Sequence, residues 1–188
     1  MFGIILLGES CSGKSTIGKT VQSRLATNHD INVRYISTGD IARQITQDDR
    51  LNKGMMADEE SMRSAIINKV REEDITFILD GCPRFYEQYI WMNSVFDNIR
   101  FIYLYIDVPY WQIVERARKR GRSDDDAIIT KHNYFYNNTL PMIERIYRDG
   151  EEIYIHHNPD NTDTIKLADD IIKTIVKVES EEDENSRF

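Results

Sequence analysis

An apolar run, Phe2-Gly-Ile-Ile-Leu-Leu7, passes directly into Gly8-Glu-Ser-Cys-Ser-Gly13-Lys14-Ser15, and a stretch with Ile17, Val21 and Leu25 on one helical face follows. A short strand that is apolar throughout is buried on both faces, the pattern of a central parallel strand. A glycine-bounded turn leading from it into a helix makes a strand–loop–helix unit, which belongs to α/β architecture. Gly8 and Gly13 allow backbone angles that turn successive N–H groups inward, and the helix starting at Lys14 adds its positive end. Gly8, Ser10, Cys11, Ser12, Gly13, Lys14, Ser15 and Thr16 are therefore expected to bind a nucleoside triphosphate. Lys14 would reach its β- and γ-phosphates, and the Ser15 hydroxyl would ligate Mg²⁺.

The rest of the chain repeats the alternation. Strands are expected at Val33–Ser37, Ile75–Leu79, Arg100–Ile106 and Glu152–His156. Helical patterns start at Thr38-Gly-Asp40 and at Asp58, and others run over Phe85–Phe96, Pro109–Lys119, Asp125–Arg148 and Thr162–Val178, with Pro141 breaking the third of these. Strands alternating with helices imply parallel pairing through right-handed crossovers. Ile75–Leu79 ends at Asp80-Gly81, where a carboxylate can sit beside Ser15 as the second residue at a Mg²⁺ site. The acidic segment 179–188 is uniformly polar and is expected to be disordered.

Composition narrows the setting. A length of 188 residues suits one domain, and 40% apolar content supports a core. The net charge of −8 argues against a nucleic-acid or anionic-membrane binder. Two cysteines, Cys11 and Cys82, lack metal-ligand spacing or a disulfide framework, and no run approaches a membrane span. A soluble, reducing, cytoplasmic setting is expected.

Three further segments carry more specific chemistry. Ser37-Thr38-Gly39-Asp40-Ile-Ala-Arg43 sets an arginine one turn past a capping cluster. Asp80-Gly81-Cys82-Pro83-Arg84, with Gln88 four residues on, places a cation beside the carboxylate. Arg116-Ala-Arg118-Lys119-Arg120-Gly121-Arg122-Ser-Asp124-Asp125-Asp126 runs from basic to acidic. Together, and in this order, the segments resemble the adenylate kinase family of nucleoside monophosphate kinases, from residue 2 to about 178.

That resemblance implies a P-loop kinase three-layer α/β fold, with a five-stranded parallel sheet, a short monophosphate-binding insert (about 38–73) and a short lid (about 119–127). It implies transfer of the ATP γ-phosphoryl group by a monomer. Thr38, Gly39, Arg43, Met56, Gly81, Arg84 and Gln88 would form the monophosphate site. Of these, Arg43 and Arg84 would hold the acceptor phosphate, and Thr38 and Gln88 would contact the base. Arg120 and Arg122 would be lid cations fixed by Asp124 and Asp125, and Lys14, Arg84, Arg120 and Arg122 the catalytic charges. Arg116 and Arg118 read instead as helix-end cations complementing the dipole, or as cations that share that role with the site.

The chain departs from the family in four places. Ten residues separate Arg43 from Gly54, so the insert is trimmed. Gly54-Met55-Met56 stands where the family has a Gly-x-x-Val turn. The lid has no room for a four-cysteine zinc site. The family's arginine after the lid has no clean counterpart, and Lys131, His132 and Asn133 occupy its neighbourhood. Thr38 and Phe85 point to AMP as acceptor. Another monophosphate (CMP, UMP or a deoxynucleotide), a small metabolite, or a regulatory nucleotide binder with weak turnover are the alternatives.

Overall fold

A computed structural model describes residues 2–46, 51, 53, 55–122, 127–158 and 163–185. Five strands, β1 (Phe2–Leu7), β2 (Val33–Ser37), β3 (Thr76–Asp80), β4 (Arg100–Asp107) and β5 (Ile153–His157), form one parallel sheet in the order β2-β3-β1-β4-β5. The first crossover leaves β1 toward β2 and a later one passes from β3 across to β4. The C-terminal ends of β1 and β3 therefore flank a switch point, where an open α/β sheet leaves a crevice.

Helices cover both faces. One core joins Ile4 and Leu6 of β1 to Ile17, Val21 and Leu25 of α1 (Lys14–His29), Ile113 of α5 (Tyr110–Arg120) and Ile171 of α8 (Thr164–Asn185). The opposite core takes Ile5 and Leu7, with Ile41 of α2 (Thr38–Ile45), Ile66 of α3 (Glu59–Arg71) and Met92 of α4 (Tyr86–Val95). Alternate β1 side chains thus enter different layers, so every one of them has to be apolar. Each such side chain stabilises the fold by about 1.5–3 kcal/mol when fully buried. Capping follows local chemistry: the Ser37 hydroxyl accepts from Asp40 N–H (3.1 Å) and the Asp58 carboxylate from Ser61 N–H (2.9 Å).

Two expectations are corrected. Pro141 does not break the helix before it. Instead α6 (Ile128–Tyr134) continues through a π-helical segment, Phe135–Thr139, into α7 (Leu140–Arg148). A proline cannot donate to the carbonyl four residues back and clashes with it. The wide turn, in which Leu140 N–H donates to Phe135 O, shifts the register just ahead of the proline. The second correction concerns the acidic segment: α8 does not stop at Val178 but runs through Asn185, so 179–185 are helical rather than irregular. No glycine or proline between 164 and 185 ends it, and glutamate and lysine are good helix formers. No helix among the described residues is long and apolar enough to cross a membrane.

Candidate functional site

The loop after β1 is held from three sides. Gly8 has φ +141°, and a Cβ there would lie 2.7 Å from the Ile106 carbonyl on β4, so no side chain fits. Gly13 (φ +95°) and Cys11 (φ +65°) supply the left-handed turns. The Ser12 carbonyl, on a fully buried residue, accepts from Arg116 Nη1 (3.2 Å) and Asn158 Nδ2 (2.9 Å). Arg116 Nη2 also donates to the Asn158 carbonyl at 2.8 Å, tying α5 and the end of β5 to the loop. Lys14 Nζ donates to the carbonyls of Gly8 (2.8 Å) and Glu9 (2.6 Å) and to Ser12 Oγ (3.3 Å). Burial lowers the lysine's pKa, opposed chiefly by the Asp80 charge.

At the end of β3 the Asp80 Oδ2 atom accepts two hydroxyls, Ser15 Oγ at 2.7 Å and Tyr35 Oη at 2.5 Å. Burial and the Asp80 charge push the Tyr35 pKa up, so the phenol stays a donor. A hydroxyl and a carboxylate side by side are hard oxygen donors suited to Mg²⁺, which keeps several water and phosphate ligands. The residues present fit that ion. Among the described residues, no group of three or more His, Cys, Asp or Glu is placed to cage a metal by itself.

Across the crevice, Arg84 Nε donates to the Gly81 carbonyl (2.7 Å) and Nη1 lies 3.3 Å from Met56 Sδ. Arg43 pairs with Asp40 at 2.5 Å, and that hydrogen bond is the main cause of the lowered Asp40 pKa. Thr38 and Gln88 are placed differently. Thr38, 1% exposed, donates from Oγ1 to the Asp80 carbonyl at 2.8 Å. Gln88 Oε1 accepts the Arg84 backbone N–H (2.8 Å), and its Nε2 donates to Glu59 Oε2 (2.8 Å). Both side chains brace the Gly81–Arg84 turn from behind.

Every described residue expected at the site lines one cavity of about 530 Å³, except Ser12, Thr38 and Gln88. Asp124, Asp125 and Gly54 lie outside the described residues. Arg116, Lys119 and Lys131 also line it, which among the described residues gives eight basic side chains against one carboxylate, Asp80, in a chain of net charge −8. Arg116, read from sequence as a helix-end cation or one of mixed role, braces the phosphate loop. Tyr35 and Glu59 are further participants that sequence reasoning missed. A tyrosine in an alternating strand carries no mark of function, and Glu59 reads as an ordinary first-turn acid.

Residues 7–130, about two thirds of the chain, match a family described as an AAA domain. An adenylate kinase of Prochlorococcus marinus (strain AS9601) is 26% identical over 155 residues, 75% of this chain and 82% of the relative. An adenylate kinase of Encephalitozoon cuniculi (strain GB-M1) is 27% identical over 166 residues, 81% of this chain and 88% of the relative. A uridylate kinase of Saccharomyces cerevisiae is 28% identical over 118 residues, 60% of this chain and 57% of the relative. On these matches the chain belongs to the AAA domain family of phosphate-loop proteins and is a phosphotransferase of the adenylate kinase family.

Proposed function

We propose that the chain transfers the γ-phosphoryl group of ATP to a nucleoside monophosphate, with AMP as the preferred acceptor. The single observation that carries this is the cavity lined, among the described residues, by eight cations and one carboxylate, with the phosphate loop on one wall and Arg43 and Arg84 on the other. Two polyanions brought into one crevice repel each other, and convergent cations offset that repulsion. The triphosphate lies on the loop, with Lys14 leaving the Gly8 and Glu9 carbonyls to meet its β- and γ-oxygens. Arg43 and Arg84 grip the acceptor phosphate, since a planar guanidinium binds two oxygens and keeps its charge. Arg120 and Arg122 come over the transferring group from the lid side.

In the reaction an oxygen of the monophosphate attacks the γ-phosphorus in line. The bond from that phosphorus to the ADP oxygen breaks, and ADP and a nucleoside diphosphate leave. No general base is required, because the attacking atom is already a phosphate oxygen. Ser15 and Asp80 are the residues that would hold Mg²⁺, which would supply positive charge against the phosphates. The reading includes a soluble cytoplasmic monomer.

With Thr38 held behind the Gly81–Arg84 turn, AMP rests on the names of the first two relatives. A pyrimidine acceptor is the second reading, favoured by the likeness to the uridylate kinase. The test is a panel assay with ATP, Mg²⁺ and AMP, dAMP, CMP, UMP, dTMP or GMP. Diphosphate formation fastest with AMP is expected. Silence across the panel while ATP still binds would overturn the kinase reading, and a pyrimidine preference would overturn the AMP assignment.

A further inference from the structure

Glu9 follows the first glycine of the phosphate loop, at a position where the motif accepts any residue. An acid there stands in the loop that has to receive a polyanion, and its side chain does not point away into water. The Glu9 side chain is 9% exposed, and its Oε1 lies 3.0 Å from His132 Nδ1, across 123 residues of sequence. The imidazole is itself fixed, with Tyr110 at 3.8 Å and Tyr136 at 5.7 Å between ring centroids. The phosphate loop, the first residue of α5, and the α6–π segment therefore meet at one histidine. Burial raises the Glu9 pKa, while the His132 hydrogen bond, its charge and Lys14 act against that rise.

Glu9 has three ties: the Lys14 ammonium on its carbonyl, His132 on its side chain, and the Ser12 N–H, which donates to the same carbonyl at 3.2 Å within the loop. The first is lost when Lys14 moves to the phosphates. The second does not involve Lys14 and gives the Glu9 carboxylate a hydrogen-bond partner. Lys131, one residue before His132, lines the cavity, so the same contact holds that cation at the crevice.

We propose that His132 is a positioning residue for triphosphate binding, holding the phosphate loop in its receiving shape through Glu9. This rests on the assignment of the loop to ATP but not on the acceptor. The test therefore measures ATP affinity by equilibrium titration without any monophosphate.

Glu9→Ala and His132→Ala are each expected to weaken ATP binding about tenfold, the scale of a lost charge-assisted hydrogen bond. The double variant should be no weaker than the weaker single, because both act through one contact. His132→Asn, whose amide N–H takes the place of Nδ1, should bind within about threefold of the parent. Unchanged affinity in His132→Ala, additive losses in the double variant, or an Asn variant as weak as Ala would each overturn the proposal. Should His132→Ala not fold, His132→Leu keeps the packing between the tyrosines without a donor; Leu must then lose affinity that Asn keeps. Failure of the parent to bind ATP would instead strike the assignment of the loop, whereas failure to phosphorylate AMP would leave this test intact.

Discussion

Gly81→Ala is the substitution whose cost can be worked most directly from the structure. Gly81 has φ +90°, and a Cβ built there would lie 2.7 Å from Thr38 Oγ1 and 3.3 Å from Arg84 Nη2. The backbone penalty for a non-glycine residue in the left-handed region is about 1–2 kcal/mol. The Thr38 hydroxyl must also leave the Asp80 carbonyl it donates to at 2.8 Å, in a place where Thr38 is 1% exposed. An abandoned buried hydrogen bond adds about 1–3 kcal/mol. The sum, about 2–5 kcal/mol, corresponds to a fall in Tm of about 4–20 °C for a chain of this size. Gly121→Ala is the internal control: its φ is +62°, but nothing among the described residues lies within 4 Å of the added Cβ. That variant carries the backbone penalty alone, about 1 kcal/mol. Urea or thermal unfolding followed by circular dichroism separates the two. Equal stabilities within about 0.5 kcal/mol, the usual range for neutral surface changes, would refute the claim that Thr38 is locked behind the turn.

Three other outcomes are expected. Arg84→Ala should lower kcat at least about a thousandfold, the lower range for loss of a transition-state arginine, while ATP affinity by titration stays near the parent value; loss of both together would misplace that arginine. Tyr35→Phe removes one of two hydroxyls on Asp80 Oδ2, and should weaken ATP binding about three- to tenfold with Mg²⁺ present and leave it unchanged with chelator; equal loss in both conditions would make Tyr35 a packing residue. Cys11 lines the cavity, whereas Cys82 is 2% exposed with its thiol pushed up to about 12 by burial. A thiol reagent at neutral pH should therefore modify one cysteine per native chain and two after unfolding, with ATP protecting the first; two fast-reacting native thiols would contradict the burial of Cys82.

The elements carrying the first half of the site were legible because their chemistry is contiguous. Strand, glycines, lysine and hydroxyl occupy residues 2–15 in a row, and backbone geometry alone makes them a phosphate cradle. The caps at Ser37 and Asp58 and the apolar run into Asp80 were equally local. The π-helical turn was not legible, because proline announces only that something must give, and packing on both sides decided that the helix would widen rather than stop. The fate of Gln88 was also hidden. Its amide has partners on two other segments, the Arg84 backbone and Glu59, and no spacing along the chain relates Gln88 to Glu59.

By itself, then, the sequence determined the phosphate loop, the alternation of strands and helices, and the order of the charged segments. The tertiary structure decided which charges face each other. Parallel strands in the order β2-β3-β1-β4-β5 bring all their C-terminal ends to one edge. That arrangement sets Tyr35 on Asp80 across 45 residues, Arg116 on the Ser12 carbonyl across 104, and His132 on Glu9 across 123. Hydrogen bonds and ion pairs act over a few ångströms in space and carry no memory of separation along the chain. A motif can therefore announce that phosphate binds, but only the fold assembles the ring of cations around it.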